Sequence, residues 1–142
     1  MPSVHPYLNF NGNCGEAFDF YKSAFGGEFA TKMFFKDAPA DPAMPPSEGG
    51  KIMHVALPIG KATVLMGSDR PGSFGSGKIG ENFTVSIQVD SEDEAKKLFT
   101  GLSAGGKVVM PLDKTFWGAY FGMFTDKFGI QWMVNYDYNQ HK

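Results

Sequence analysis

Apolar and polar residues alternate over short stretches along most of this chain, and two stretches break that rhythm with a helical spacing. VHPYLNF, residues 4–10, alternates and predicts a strand. After the turn NGNC, the segment GEAFDFYKSAF sets Ala17, Phe20, Tyr21 and Phe25 at helical spacing, and Gly26-Gly27 ends that helix. EFATKMFF predicts a second strand. KIMHVALPI and KATVLMGS predict two more, joined as a hairpin at Gly60-Lys61. Then the pattern restarts. NFTVSIQVD places Phe83, Val85, Ile87 and Val89 on one strand face. SEDEAKKLFTGLSAGG predicts a helix, with Ser91 and Glu94 spaced as a capping box and Gly105-Gly106 as the stop. KVVMPLDKT, FWGAYFGMFTD and FGIQWMVNY give three further strands, the last two a hairpin around residues 127–129.

The order is β-α-β-β-β, twice, which is an internal repeat. HVALPIGKATVLMGSD echoes FGMFTDKFGIQWMVNYD, an alignment that sets Asp69 against Asp137. The expected fold class is α+β: two tandem βαβββ modules, 1–69 and 82–142, with a Gly-rich linker at 70–81. Each sheet buries one face under its own helix, and the other faces form a concave mixed-sheet cleft within one compact domain. The stretch 37–50, rich in Pro, Ala and Gly, is a loop that either lids the cleft or is plain disorder.

Composition narrows the functional classes. Aromatics make up 15% of the 142 residues, enough for a packed core. With 13 basic and 15 acidic side chains, the formal charge of -2 gives no footprint for nucleic acid. The single cysteine, Cys14, excludes an internal disulfide and fits a reducing, cytoplasmic setting. MPSVHPYLNF lacks a basic region followed by an apolar run, so no signal peptide is expected, and no window is apolar enough to span a membrane.

Three segments, PYLNFNGNCGEAFDFYKSAFGGE, IMHVALPIGKATVLMGSD and TFWGAYFGMFTDKFGIQWMVN, together with the repeat, resemble the PhnB-like branch of the vicinal oxygen chelate superfamily. That superfamily includes glyoxalase I, extradiol dioxygenases and bleomycin-resistance proteins. The resemblance covers nearly the whole chain. A methyltransferase label is common in the branch, but nothing here resembles the Gly-rich strand-to-helix turn of a methyl-donor site. Enzymes of the superfamily hold a metal at four positions, one on the first and one on the last strand of each module. Carried over by strand phase, these fall at His5, Leu65, Thr84 and Met133, provided Leu8 and Phe10 match Ile87 and Val89; a one-residue gap would substitute Pro6 for His5. Leucine offers no donor, threonine a weak one and methionine a soft one, so a single strong ligand in four does not make a hard-metal site. No metal and no cofactor are expected.

Alternation assigns the cleft lining: His5, Tyr7 and Asn9; Thr63, Leu65 and Gly67; Thr84, Ser86 and Gln88; Gln131, Met133 and Asn135. This mixture of amides, hydroxyls and apolar groups suits a neutral or amphipathic small molecule and lacks an acid/base pair. His54 is either a polar anchor in the cleft or a histidine bonded across the sheet. Trp117 is either an aromatic wall of the cleft or an interface residue. Trp132 is assigned to the core, while the pairs Phe124/Tyr120 and Met123/Phe121 are not distinguished. Cys14 at a helix start reads as structural rather than reactive, and Gly72 to Lys78 as linker rather than phosphate loop, since Ile79 and a strand follow. His141 lies near the C-terminus.

The favoured function is ligand binding or sequestration without metal, the catalytic residues being unknown. The alternative is a lyase or dioxygenase with a displaced metal site built from His5, His54 and a carboxylate such as Glu81 or Asp90. The resemblance also implies a homodimer, for which the apolar KMFF and TFWGAYF segments provide surface.

Overall fold

The computed structural model describes residues 2–37, 49–70, 78 and 80–139. The chain divides into two compact units, 1–78 and 79–142. The division falls inside the 70–81 stretch.

The first unit contains β1 (Tyr7–Phe10), α1 (Cys14–Phe25), β2 (Thr31–Phe34), β3 (Ile52–Ile59) and β4 (Thr63–Asp69), with a single 3-10 turn at Phe35–Asp37. Its sheet runs β1-β4-β3-β2, with β1 parallel to β4 and the other neighbours antiparallel. The second unit repeats this plan with β5 (Val85–Gln88), α2 (Glu92–Ser103), β6 (Lys107–Lys114), β7 (Ala119–Thr125) and β8 (Gln131–Asp137), in the order β5-β8-β7-β6. The tandem βαβββ architecture is therefore present. The strands are shorter than the alternation suggested, and β1 begins only at Tyr7.

Each helix buries a stripe against one face of its own sheet. In α1 the stripe is Cys14, Ala17, Phe18 and Tyr21; Phe20 and Phe25 are only half-buried, so the helix is rotated from the expected face. The cause is Phe18, whose ring settles over Gly67 of β4. A Cβ at Gly67 would lie 2.6 Å from that ring and 2.8 Å from the Leu8 carbonyl. In α2 the stripe is Ala95, Leu98, Phe99 and Leu102. Phe99 sits over Gly122 of β7 in the same manner, 2.6 Å from where a Cβ would stand, and meets Phe124 edge-on. The core sides of the sheets carry Leu8, Phe10, Val55, Leu57 and Leu65 in the first unit, and Phe124, Trp132 and Val134 in the second.

Two buried carboxylates organise the turns. Asp69, 2% exposed, accepts the N–H groups of Gly12 (3.0 Å) and Cys14 (2.9 Å) at Oδ1 and that of Ile52 (2.9 Å) at Oδ2. Asn13 makes no side-chain cap, so Asp69 serves the first turn of α1 from the end of β4. Asp126 accepts from Phe128 and Ile130 at Oδ1 and from the Trp132 indole N–H at Oδ2 (2.8 Å), closing the β7–β8 turn and fixing the core tryptophan. At α2, Ser91 Oγ accepts the Glu94 N–H, while the Glu94 carboxylate reaches back to Asp90 N–H instead of completing the box at Ser91. Among the described residues, no helix is long and apolar enough to cross a membrane.

Candidate functional site

The face of each sheet turned away from its helix is its open face, and register decides which side chains it carries. In the first unit Tyr7 pairs with Met66, Asn9 with Ser68, Ala56 with Met66, and Met33 with His54. Tyr7 and Asn9 point away from the core, alternating with buried Leu8 and Phe10. Their partners on β4 are therefore the even-numbered residues Met66 and Ser68, with Val64 in phase. The assignment of Thr63, Leu65 and Gly67 to this face is corrected. Leu65 is 1% exposed on the helix side, and Gly67 lies directly beneath Phe18. The error came from aligning Asp69 with Asp137. Asp69 shares the buried phase of Leu65; Asp137 shares the phase of Met133 and merely accepts the Asn139 N–H. A one-residue slip exchanges faces, so the strand-phase counterpart of Met133 is Met66.

His5 lies just before β1. Its Nδ1 accepts the main-chain N–H of Val64 at 3.2 Å, while the neighbouring Pro6 carbonyl accepts from Met66. The imidazole thus continues the β1–β4 ladder where the main chain leaves off. Tyr7 and His54 come together on the open face. The phenol oxygen is 3.3 Å from His54 Nδ1, and the rings stack with centroids 5.7 Å apart. His54 is thereby both half-buried and bonded across the sheet, at a position where its ring also borders the open face.

In the second unit Ser86 pairs with Met133 and Gln88 with Asn135, and Thr84 precedes β5 in the same phase. Trp132 and Val134 occupy the buried phase between them, as does Phe124 on β7. Hence Met123 and Phe121, partners of Met133 and Asn135, belong to the open face, and Phe124 to the core. Asn135 donates from Nδ2 to Gln88 Oε1 (2.9 Å), and Gln131 donates from Nε2 to the Phe83 carbonyl. These bonds hold three amides in fixed orientations. Trp117, 55% exposed in the β6–β7 turn, lies against Phe121 with ring centroids 5.9 Å apart, extending the open face with an aromatic surface.

Met66 and Ser68 were not assigned to the open face from the sequence, and the choice left open between Phe124/Tyr120 and Met123/Phe121 falls to the latter pair. The signal that identifies the first two is the buried phase of β3, where Val55 and Leu57 oppose Gly67 and Leu65.

The four positions that bind metal in the resembled superfamily do not fit a hard cation here. Leu65 faces the core. A neutral imidazole that accepts at Nδ1 carries its proton on Nε2, so His5 has no free lone pair. A metal-bound histidine has the opposite arrangement, donating from its second nitrogen. Thr84 and Met133 supply only a weak and a soft donor. Among the described residues, no group of three or more His, Cys, Asp or Glu side chains is placed to hold a metal. Cys14 is fully buried, and burial followed by the Asp69 charge pushes its thiol well above the ordinary value, so it is not a nucleophile. Most of the 37–50 loop, the Gly72–Gly77 run and His141 lie outside the described residues.

Comparison with known proteins gives consistent relatives. The model of the Glyoxalase/Bleomycin resistance protein/Dioxygenase superfamily matches residues 3–134. Protein YjdN of Escherichia coli (strain K12) is 33% identical over 95% of this chain and 95% of its own length. The crystal structure of protein PA1353 from Pseudomonas aeruginosa is 43% identical, with a TM-score of 0.86 over 96% of this chain and 98% of that one. The PhnB protein of Bacillus cereus shares the fold, with a TM-score of 0.75 at 20% identity over 95% and 99% of the two chains.

Proposed function

The chain belongs to the glyoxalase/bleomycin resistance protein/dioxygenase superfamily, and from that premise we propose that it binds or sequesters a small organic molecule without a hard divalent metal. The observation carrying this reading is the Val64 N–H bond to His5 Nδ1, which occupies the one strong donor among the four positions. Supporting it, the open faces offer bonded amides, hydroxyls, thioethers and aromatic rings, a lining suited to a neutral or amphipathic ligand. The PhnB-like branch is the part of the superfamily we assign it to, and its free, buried cysteine fits a reducing cytoplasm. A homodimer is part of the proposal. Exposed apolar groups at Met33, Phe116 and Trp117 supply surface for a second copy, which light scattering measures directly.

The test is a thermal-shift screen of purified protein combined with elemental analysis. Organic ligands should raise the melting temperature without turnover. Added Ni²⁺, Zn²⁺ or Mn²⁺ should not, and no divalent ion should co-purify stoichiometrically. A stoichiometric divalent ion together with turnover of the methylglyoxal–glutathione adduct would establish the enzymatic alternative instead.

A further inference from the structure

One row of the second sheet has a composition that ligand binding alone does not call for. Met110 on β6 pairs with Met123 on β7, and Met123 pairs with Met133 on β8. Three thioethers therefore stand side by side on adjacent strands, on the face away from α2. Ser86 of β5 ends the row. The β6 register shifts on both sides of Met110, but Met110 itself remains opposite Met123. Packing does not explain the row: Met110 is 43% exposed, and Met123 and Met133 are only half-buried.

Neighbouring strands lie about 4.8 Å apart. Held by a linear two-coordinate ion, two sulfurs stand about 4.6 Å apart, taking the metal–sulfur bond of about 2.3 Å known for zinc. The strand spacing therefore matches the sulfur separation of one linear ion between two paired methionines, and Met110 and Met133, on either side of Met123, both reach one ion only by leaning towards it. Uncharged thioether sulfur is a poor ligand for hard divalent ions and a good one for soft cations such as Cu(I).

We infer that Met110, Met123 and Met133 form a thioether ladder that binds a soft monovalent cation, Cu(I) or its redox-inert analogue Ag(I). Met123 is the shared ligand, being opposite both of the others. Binding involves no redox step and no proton release, since a thioether carries no proton. The ladder shares Met123 and Met133 with the open face of the organic-ligand reading, but needs neither its amides nor the first unit.

The test uses the whole chain with isotope-labelled methionine methyl groups, titrated with silver nitrate in chloride-free buffer. Cu(I) affinity is measured separately by competition with bicinchoninate under ascorbate. One equivalent of Ag(I) should shift the methyl signals of Met110, Met123 and Met133 and leave those of Met33 and Met66 in place. Changes outside a metal's ligand shell weaken binding about 10–100-fold, so Met123→Leu should weaken Cu(I) binding at least as much, with Met66→Leu unchanged. Because leucine preserves apolar volume, the circular dichroism of Met123→Leu should match the parent. Silver that leaves the three methyl signals unmoved, or Cu(I) affinity unaltered in a folded Met123→Leu, overturns the inference.

Discussion

The main-chain N–H of Val64 lies 3.2 Å from Nδ1 of His5, and this bond decides which imidazole nitrogen faces a ligand. With Nδ1 accepting, the proton resides on Nε2 and the ring presents a donor. Nitrogen-15 NMR should therefore report the Nε2–H tautomer for His5, and added Ni²⁺ or Zn²⁺ should leave its signals in place. His5→Ala should cost about 1 kcal/mol of stability, the usual net value of one hydrogen bond. An Nδ1–H tautomer, or metal-dependent shifts at His5, would restore the case for a metal site.

Adjacent residues of β4 should respond oppositely to truncation. Leu65→Ala removes a core side chain and should lower the unfolding free energy by about 2–5 kcal/mol. Met66→Ala and Ser68→Ala act on the open face and should weaken binding of whichever compound stabilises the parent, at smaller cost to the fold. Urea titration and thermal-shift titration of the three variants separate these outcomes. A binding defect confined to Leu65→Ala would return that residue to the ligand face.

The difference between Leu65 and Met66 also marks where the sequence ceased to be informative. Element order was legible because period-2 and helical spacings are local and strong, and Trp132 was assignable to the core because its neighbours alternate cleanly. The phase of β4 was not. LMGSD contains a glycine on the buried side and a buried aspartate, both of which read as surface residues until their partners are known. Asp69 is buried because it caps α1 from 55 residues away, and Gly67 because Phe18 needs its space. Neither relationship has a local signature. His5 was singled out by strand phase, but the bond fixing its tautomer spans 59 residues.

Asp69 should be among the most sensitive positions of the first unit. Asp69→Ala deprives Gly12, Cys14 and Ile52 N–H groups of their acceptor. Orphaning a buried donor costs about 1–3 kcal/mol, so a loss of at least about 2 kcal/mol is expected from the buried Cys14 and Ile52 N–H groups. Asp137→Ala, which loses only an exposed contact to Asn139, should cost well under about 1 kcal/mol. Chemical denaturation with tryptophan fluorescence reads both, and equal effects at the two positions would contradict their different roles.

The paired glycines make a second stability prediction. Gly67→Ala and Gly122→Ala each drive a methyl group into a helix phenylalanine and into main-chain atoms, the Leu8 carbonyl in one case and Leu112 in the other. Overpacking of this kind costs about 1–3 kcal/mol. Relief should come from the second site: Phe18→Leu should recover part of the loss in Gly67→Ala, and Phe99→Leu part of that in Gly122→Ala. Double-mutant cycles measure this coupling, and strictly additive costs would show that the rings are not what the glycines accommodate.

Cys14 gives the pH dependence its sign. Burial raises the thiol pKa, the Asp69 carboxylate raises it further, and Lys32 opposes them with a smaller effect. In the unfolded chain the thiol ionises near its ordinary value of 9.0. Its folded value is the higher one, so the stabilising contribution is complete below that ordinary value and declines as pH rises past it. There the unfolded chain releases a proton that the folded chain keeps. The decline approaches about 1.4 kcal/mol per pH unit. Lysine and tyrosine residues also titrate in this range, so the measurable quantity is the difference between the parent and Cys14→Ala. That difference should favour the parent near neutral pH and shift towards the variant between about pH 8 and pH 10. Thiol labelling gives a second reading at fixed pH, since the native protein should react with a disulfide reagent only as fast as it opens. A pH-independent difference, or native-state labelling at the rate of an exposed thiol, would show that Cys14 is not held neutral in the first turn of α1.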